Sequence, residues 1–344
     1  MRYTERACGS SPECLAHHCS AFKEVTIMAT KPSIQVGALR VDELEEAGRI
    51  VRLAFGTFLG LPNPLEFMGD REFVTPRWRA RNTKLLAARD NGKLVGSNIA
   101  TRWGSFAFFG PLTVLPEYWN RGVAQQLLAA TMKIFERWGV RHSALFTFPQ
   151  SPRHVRLYQK FGYWPGSLTA LMKRAPAPPA WALVESTEVP VLLSSLAKKE
   201  QAQAIAACAR LTNTFERGLD LGDELRAVVA QRIGEVILIE GRRAQDAFAV
   251  CMHGAGSEGG AKTCYVKFAA ARSVERFEHL LDAIDAFALA QGSEVEAGVS
   301  LACKDAFERM RARGYRAVTM GVAMQKPHGD GFNRATAYVL NDWR

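Results

Sequence analysis

Residues Ala175 to Ala180 read A-P-A-P-P-A and constrain the fold more than any other part of the chain. Prolines at this density fix φ and remove backbone donors, so neither a helix nor a central strand runs through them. The segment reads as a semi-rigid linker. It divides the 344 residues into two stretches of ordinary domain size. The same order of hydrophobic periodicities then repeats on its two sides, as expected of a duplicated domain.

In the first half, Ser33 to Leu39 alternates like a strand, and Asp42 is placed to cap an amphipathic helix through Phe55. A short helix is expected over Arg71 to Arg81. Asn91-Gly92, between Lys84–Arg89 and Lys93–Arg102, is a strong hairpin signal. A third strand runs from Phe106 to Val114, before Pro116. A helix from Arg121 to Trp138 follows, with Val123, Leu127, Leu128, Met132 and Phe135 on one stripe and Gly139 as its stop. His142–Phe148 reads as a strand, Pro152–Phe161 as a helix and Ser167–Met172 as a last strand. In the second half a hairpin (Glu235–Glu240, Ala247–Gly254) and a strand (Lys262–Ala269) precede a long helix, Ser273–Gln291. Strand Val295–Val299, helix Ala302–Arg313 and strand Ala317–Ala323 complete the repeat. The fold class is α+β: a mostly antiparallel twisted sheet flanked by helices, present twice. The expected organisation is a leader (1–30), a first domain (31–174), the linker (175–181), a second domain (182–326) and a C-terminal tail (327–344).

The leader holds Cys8, Cys14, His17, His18 and Cys19 without paired Cys-x-x-Cys knuckles, so no metal site is expected. It lacks the apolar run of a signal peptide and reads as a disordered segment upstream of Met28. Cys208, Cys251, Cys264 and Cys303 lie in apolar patterns, as reduced core cysteines do, which points to the cytoplasm. No run of about 18 apolar residues exists, which argues against a membrane helix. The net charge of +10 is uneven. Residues 31–174 carry 21 basic and 10 acidic side chains, a balance of +11; residues 175–344 carry 20 and 21, a balance of −1. The basic half suits a phosphorylated ligand. Its basic residues are interspersed rather than striped, so a nucleic-acid partner is not expected.

The segment from Gly110 to Leu128 carries the chemistry. A strand leads to a turn holding Arg121 and Gly122, and a long helix begins at once. The first N–H groups of that helix have no internal acceptors and sit at the positive end of its dipole. Such an end suits a pyrophosphate, and Gly122 and Ala124 are small enough to let it approach.

These residues resemble the GCN5-related N-acetyltransferase (GNAT) superfamily. Its acetyl-CoA motif, Gln/Arg-x-x-Gly-x-Gly/Ala, is similar to Trp119-Asn-Arg-Gly-Val-Ala124, with Trp119 in place of the usual Gln or Arg. A second landmark, Leu-Tyr-x-Lys-x-Gly-Phe, is similar to Leu157-Tyr-Gln-Lys-Phe-Gly-Tyr163. The resemblance covers 33–174, with a fainter copy over 183–325. It implies an acetyl-CoA-dependent N-acetyltransferase, in which an amine of a small molecule, peptide or protein attacks the thioester directly. It further implies that Arg121, Gly122, Val123, Ala124, Gln125 and Gln126 meet the cofactor's phosphates. Leu112, Thr113 and Val114 would pair with its pantetheine arm, and Tyr158 would act as general acid toward sulfur. No carboxylate stands on the third strand, so the general base is left among Glu66, Asp70, Glu72, Glu117, His154 and a water chain, or is not needed where the substrate amine is already partly neutral.

In the second half Met310 aligns with Tyr158, and the phosphate turn Ala271–Arg276 lacks glycine. Glu275 and Glu278 in the first turns of its helix would repel a phosphate. The second copy is therefore expected to be degenerate, packing on the first to shape the acceptor groove or mediating a homodimer. The alternative to an enzyme is a non-catalytic acyl-CoA-binding regulator.

Overall fold

The computed structural model describes residues 33–176, 190–241 and 245–344. The cysteines and histidines of the leader and linker residues 177–181 lie outside them.

The first half runs β1 (Ile34–Ala38), α1 (Leu44–Phe58), α2 (Val74–Arg79), β2 (Thr83–Asp90), β3 (Lys93–Trp103), β4 (Phe106–Phe109), β5 (Thr113–Val114), α3 (Val123–Arg137), β6 (His142–Thr147), α4 (Pro152–Gln159) and β7 (Trp164–Arg174). Asn91 (φ 47°) and Gly92 (φ 83°) both take the left-handed region that a two-residue hairpin turn demands. On α3 the buried stripe is Val123, Leu127, Leu128, Thr131, Ile134 and Phe135. Asp42 does not cap α1. It lies in a 3-10 turn, and the buried Glu43 instead accepts from the Arg40 amide and from Arg89.

The expected single strand over 106–114 is broken. β4 pairs with β3 and, in parallel, with β6; after Gly110-Pro111 the chain leaves β6, and β5 pairs with β3 alone. A wedge therefore opens between β5 and the end of β6.

The second half runs β8 (Val191–Leu192), α5 (Lys198–Phe215), α6 (Gly222–Gln231), β9 (Gly234–Glu240), β10 (Gln245–Gly254), β11 (Gly260–Ala271), α7 (Val274–Ala290), β12 (Glu294–Ser300), α8 (Lys304–Ala312), β13 (Arg316–Lys326) and β14 (Tyr338–Asn341). All but β5 fall on one path through a single sheet, in the order β1-β2-β3-β4-β6-β13-β7-β12-β14-β11-β10-β9-β8. The halves exchange their last strands. β13 inserts between β6 and β7, and β7 pairs with β12 from Val295↔Arg174 to Ser300↔Thr169. The sheet thus continues through both halves.

Residues 327–344 are more than a tail. β14 lies between β11 and β12, and Trp343 packs with Trp103, Phe106, Phe268 and Phe332 in a core shared by the halves. Buried ion pairs add a second link. Arg77 on α2 forms a fork with Glu258 (2.7 Å) and donates to the Gly110 carbonyl, while Arg71 forks onto Glu296 (2.9 Å). Although burial opposes its charge most strongly, the Arg77 and Lys267 cations hold the Glu258 carboxyl down at about 2, below its ordinary 4.5. A carboxyl lowered on folding stabilises the fold above pH 4.5 and loses that contribution as pH falls toward 2.

Candidate functional site

The start of α3 is shaped by the Arg121-Gly122 turn. Gly122 takes φ 80°, and a Cβ there would meet no atom within 4 Å, so the backbone faces open space. No side chain caps the helix. Its first internal bond is donated by Gln126 N–H to the Gly122 carbonyl (3.2 Å), which leaves the preceding amides directed outward.

Those amides border a cleft of about 570 Å³. Among the residues expected from the sequence, Leu112, Thr113, Val114, Gly122, Val123, Ala124, Gln125 and Tyr158 all line it. Arg121 and Gln126 do not. The Arg121 guanidinium sits 5.2 Å from the Tyr118 ring centre, and Gln126 is exposed one turn into the helix. Trp119, where a Gln or Arg was the pattern, lines the cleft and donates its indole N–H to the Val114 carbonyl (2.7 Å). One acceptor of the strand end is thus already engaged.

Three cations, Arg153 and Arg156 on α4 and Lys160 at its C-terminal cap, line the same cleft and were missed in the sequence. Their spacing of three and four residues puts them on one helical face, which is the signal that could have found them. Arg153 also covers the Trp119 ring at 5.7 Å. Together with the α3 amides they form a site that fits a phosphorylated ligand.

Tyr158 is buried, and burial pushes its phenol up to about 12, with a smaller opposing hydrogen bond from Thr147. It is a neutral donor at physiological pH. Of the five side chains kept as base candidates, His154 alone lines the cleft. Glu66 accepts from Asn63, Asp70 accepts from the Ala261 amide, Glu72 caps α2 through the Val74 amide, and Glu117 stands outside the cleft. His154 packs on Phe58 (4.8 Å between ring centres), and burial, then the Arg153 charge, lowers its pKa below the ordinary 6.5. Its imidazole is therefore neutral at pH 7, ready to accept a proton.

The matching region of the second half is built differently. Ser273 caps α7 by accepting from the Arg276 amide (3.4 Å). Arg309 of α8 and Arg313 at its C-terminal cap bridge to Glu278, and Arg313 also reaches Asp282, so ion pairs tie α7 to the end of α8. Met310 is fully buried. Among the described residues no group of three or more His, Cys, Asp or Glu is placed to hold a metal ion. Nor is any helix among them long and apolar enough to cross a membrane.

Residues 57–163, within the first half, match the acetyltransferase (GNAT) family, which places this domain in the GNAT superfamily. Solved structures share the fold over both halves. A candidate acetyltransferase of Pyrococcus horikoshii superposes with a TM-score of 0.65 at 17% identity, covering 95% of this chain and 98% of that one. A tandem GNAT protein from the clavulanic acid biosynthesis pathway gives 0.54 at 14% identity, covering 85% and 98%. A GCN5-related N-acetyltransferase from Sphaerobacter thermophilus gives 0.54 at 12%, covering 85% and 95%. No curated protein matches the chain.

Proposed function

We propose that the chain is an acetyl-CoA-dependent N-acetyltransferase with one working site, in the first half. One observation carries this reading: a single cleft joins the open amides of α3, the strand end Leu112–Val114, paired on its β3 side alone, and the Tyr158 ring. Bound acetyl-CoA supplies a thioester open to attack by an amine. The α3 amides, Arg153, Arg156 and Lys160 hold its phosphates, and the wedge between β5 and β6 receives the pantetheine arm.

His154, neutral at pH 7, accepts the proton that the attacking amine sheds. Tyr158 donates a hydrogen bond to the departing sulfur. A phenol near 12 is a weaker acid than a thiol at about 8.5 in water, so complete transfer is uphill unless burial raises the thiol equally. The gain therefore comes from the hydrogen bond formed as the C–S bond breaks. Calorimetry with acetyl-CoA, followed by thiol release over an amine panel, tests the reading. Absence of acetyl-CoA binding would overturn it.

A second reading, a non-catalytic acyl-CoA-binding regulator, is favoured by the Trp119 bond to the Val114 carbonyl, which removes one strand acceptor. Binding without turnover for any acceptor would select it.

A further inference from the structure

The wall given by the end of α1 differs from the phosphate-holding part of the cleft. Phe55 and Phe58, three residues apart on α1, line it and are backed by a layer of rings. Phe58 meets Phe148 at 5.0 Å and His154 at 4.8 Å, while Phe67 stacks on Phe55 at 5.2 Å. A planar apolar group entering here finds edges and faces already arranged for aromatic packing.

The charges point the same way. No aspartate or glutamate is among the described residues that line the cleft, whereas Arg153, Arg156 and Lys160 are. An acceptor with several ammonium groups would find no carboxylate side chain in the cleft to pair its extra charges. An acceptor with one ammonium loses its proton more readily in this field, because neighbouring cations disfavour the charged form. His154 feels that field already, its pKa being lowered in part by Arg153.

We infer that the acceptor is a primary monoamine carrying an aromatic body, whose ring packs against Phe55 and Phe58. The inference rests on the acetyltransferase reading. In the step, the amine nitrogen forms a bond to the acetyl carbon and the C–S bond of acetyl-CoA breaks. The amide and free CoA leave: one ammonium proton passes to His154 before attack, and the second N–H proton, shed as the amide forms, ends on the departing sulfur.

The test sets 2-phenylethylamine, propylamine and spermidine against the full chain with acetyl-CoA, following thiol release. 2-Phenylethylamine should exceed each of the others in kcat/KM by roughly tenfold or more, the scale of one buried aromatic contact. Phe58→Ala should bring its ratio to propylamine close to one. Equal or faster turnover of spermidine or propylamine in the unaltered chain would overturn the inference while leaving the enzyme reading intact. Acetyl-CoA binding with no turnover of 2-phenylethylamine would also overturn it. Absence of acetyl-CoA binding would overturn both readings. The unaltered chain decides the matter even if Phe58→Ala fails to fold.

Discussion

The two halves place the same elements around the corresponding gap, and only one gap is open. In the first, β4 pairs in parallel with β6 and the chain then diverges as β5, leaving a wedge beside Tyr158. In the second, β11 pairs in parallel with β12 over 263–266, and β14 enters where the wedge would lie, pairing with β11 from Phe268↔Asn341 to Ala271↔Tyr338. The first helix end is open, with Gly122 offering no cap; the second is capped by the Ser273 hydroxyl. An open wedge in one half thus corresponds to a strand-filled core in the other. The duplicated fold can be turned to structural use by satisfying its own open groups.

The comparison breaks first at Gly122. Gly122→Glu places a carboxylate in open space where the α3 amides face outward, so the chain should still fold. The left-handed backbone strain and the repelled phosphate should together weaken acetyl-CoA binding by about 10²-fold or more. Calorimetry on the folded variant reads this directly, and unchanged affinity would take the α3 end out of the site.

Tyr158→Phe keeps the ring that packs on Phe109 (5.8 Å) and removes only the hydroxyl. Turnover should fall about 10²-fold, a typical size for a group acting in the transition state, with acetyl-CoA affinity nearly constant. A parallel loss of affinity would make the hydroxyl a binding contact.

His154→Gln should cost roughly tenfold in kcat/KM at pH 7. It should also alter the pH profile. Because the histidine pKa is lowered, the neutral base persists below pH 6.5, and the acid limb should lie on that side. The limb should vanish in the variant; a profile that keeps it would assign the proton to another acceptor.

Much of this architecture was legible from local pattern. Asn91-Gly92 fixed the hairpin, and the Val123 to Phe135 stripe placed α3. Long-range pairing was not legible. Nothing local in Ala317–Ala323 says that its neighbours will be β6 and β7 of the other half. The short helix expected over Arg71 to Arg81 gave no sign of the ion pairs of Arg71 and Arg77, because their partners, Glu296 and Glu258, lie about 180 residues or more away. Tyr338–Asn341 was too short to read as a strand, and helices α5 and α6 were not read at all. At the site, the two motifs located the cleft, but which candidate base faced it depended on packing. Three carboxylates were already engaged in hydrogen bonds elsewhere, and only His154 stood on the right helix.

The smallest effect is expected in the second half, where the charges that discourage a phosphate can be removed without opening anything. Glu275 stands in the first turn of α7, and Glu278, one turn further on, pairs with Arg309 and Arg313. Glu275→Ala with Glu278→Ala removes both carboxylates that would repel a phosphate at this helix end. If charge alone closed this half, the double variant should gain a second CoA. The backbone argues otherwise, since β14 remains hydrogen-bonded to both β11 and β12 and is anchored by the buried Leu340 and Trp343. Acetyl-CoA stoichiometry should therefore stay at one per chain, as read by calorimetry. A second equivalent bound by the variant would mean that side-chain charge, rather than the inserted strand, separates the two halves.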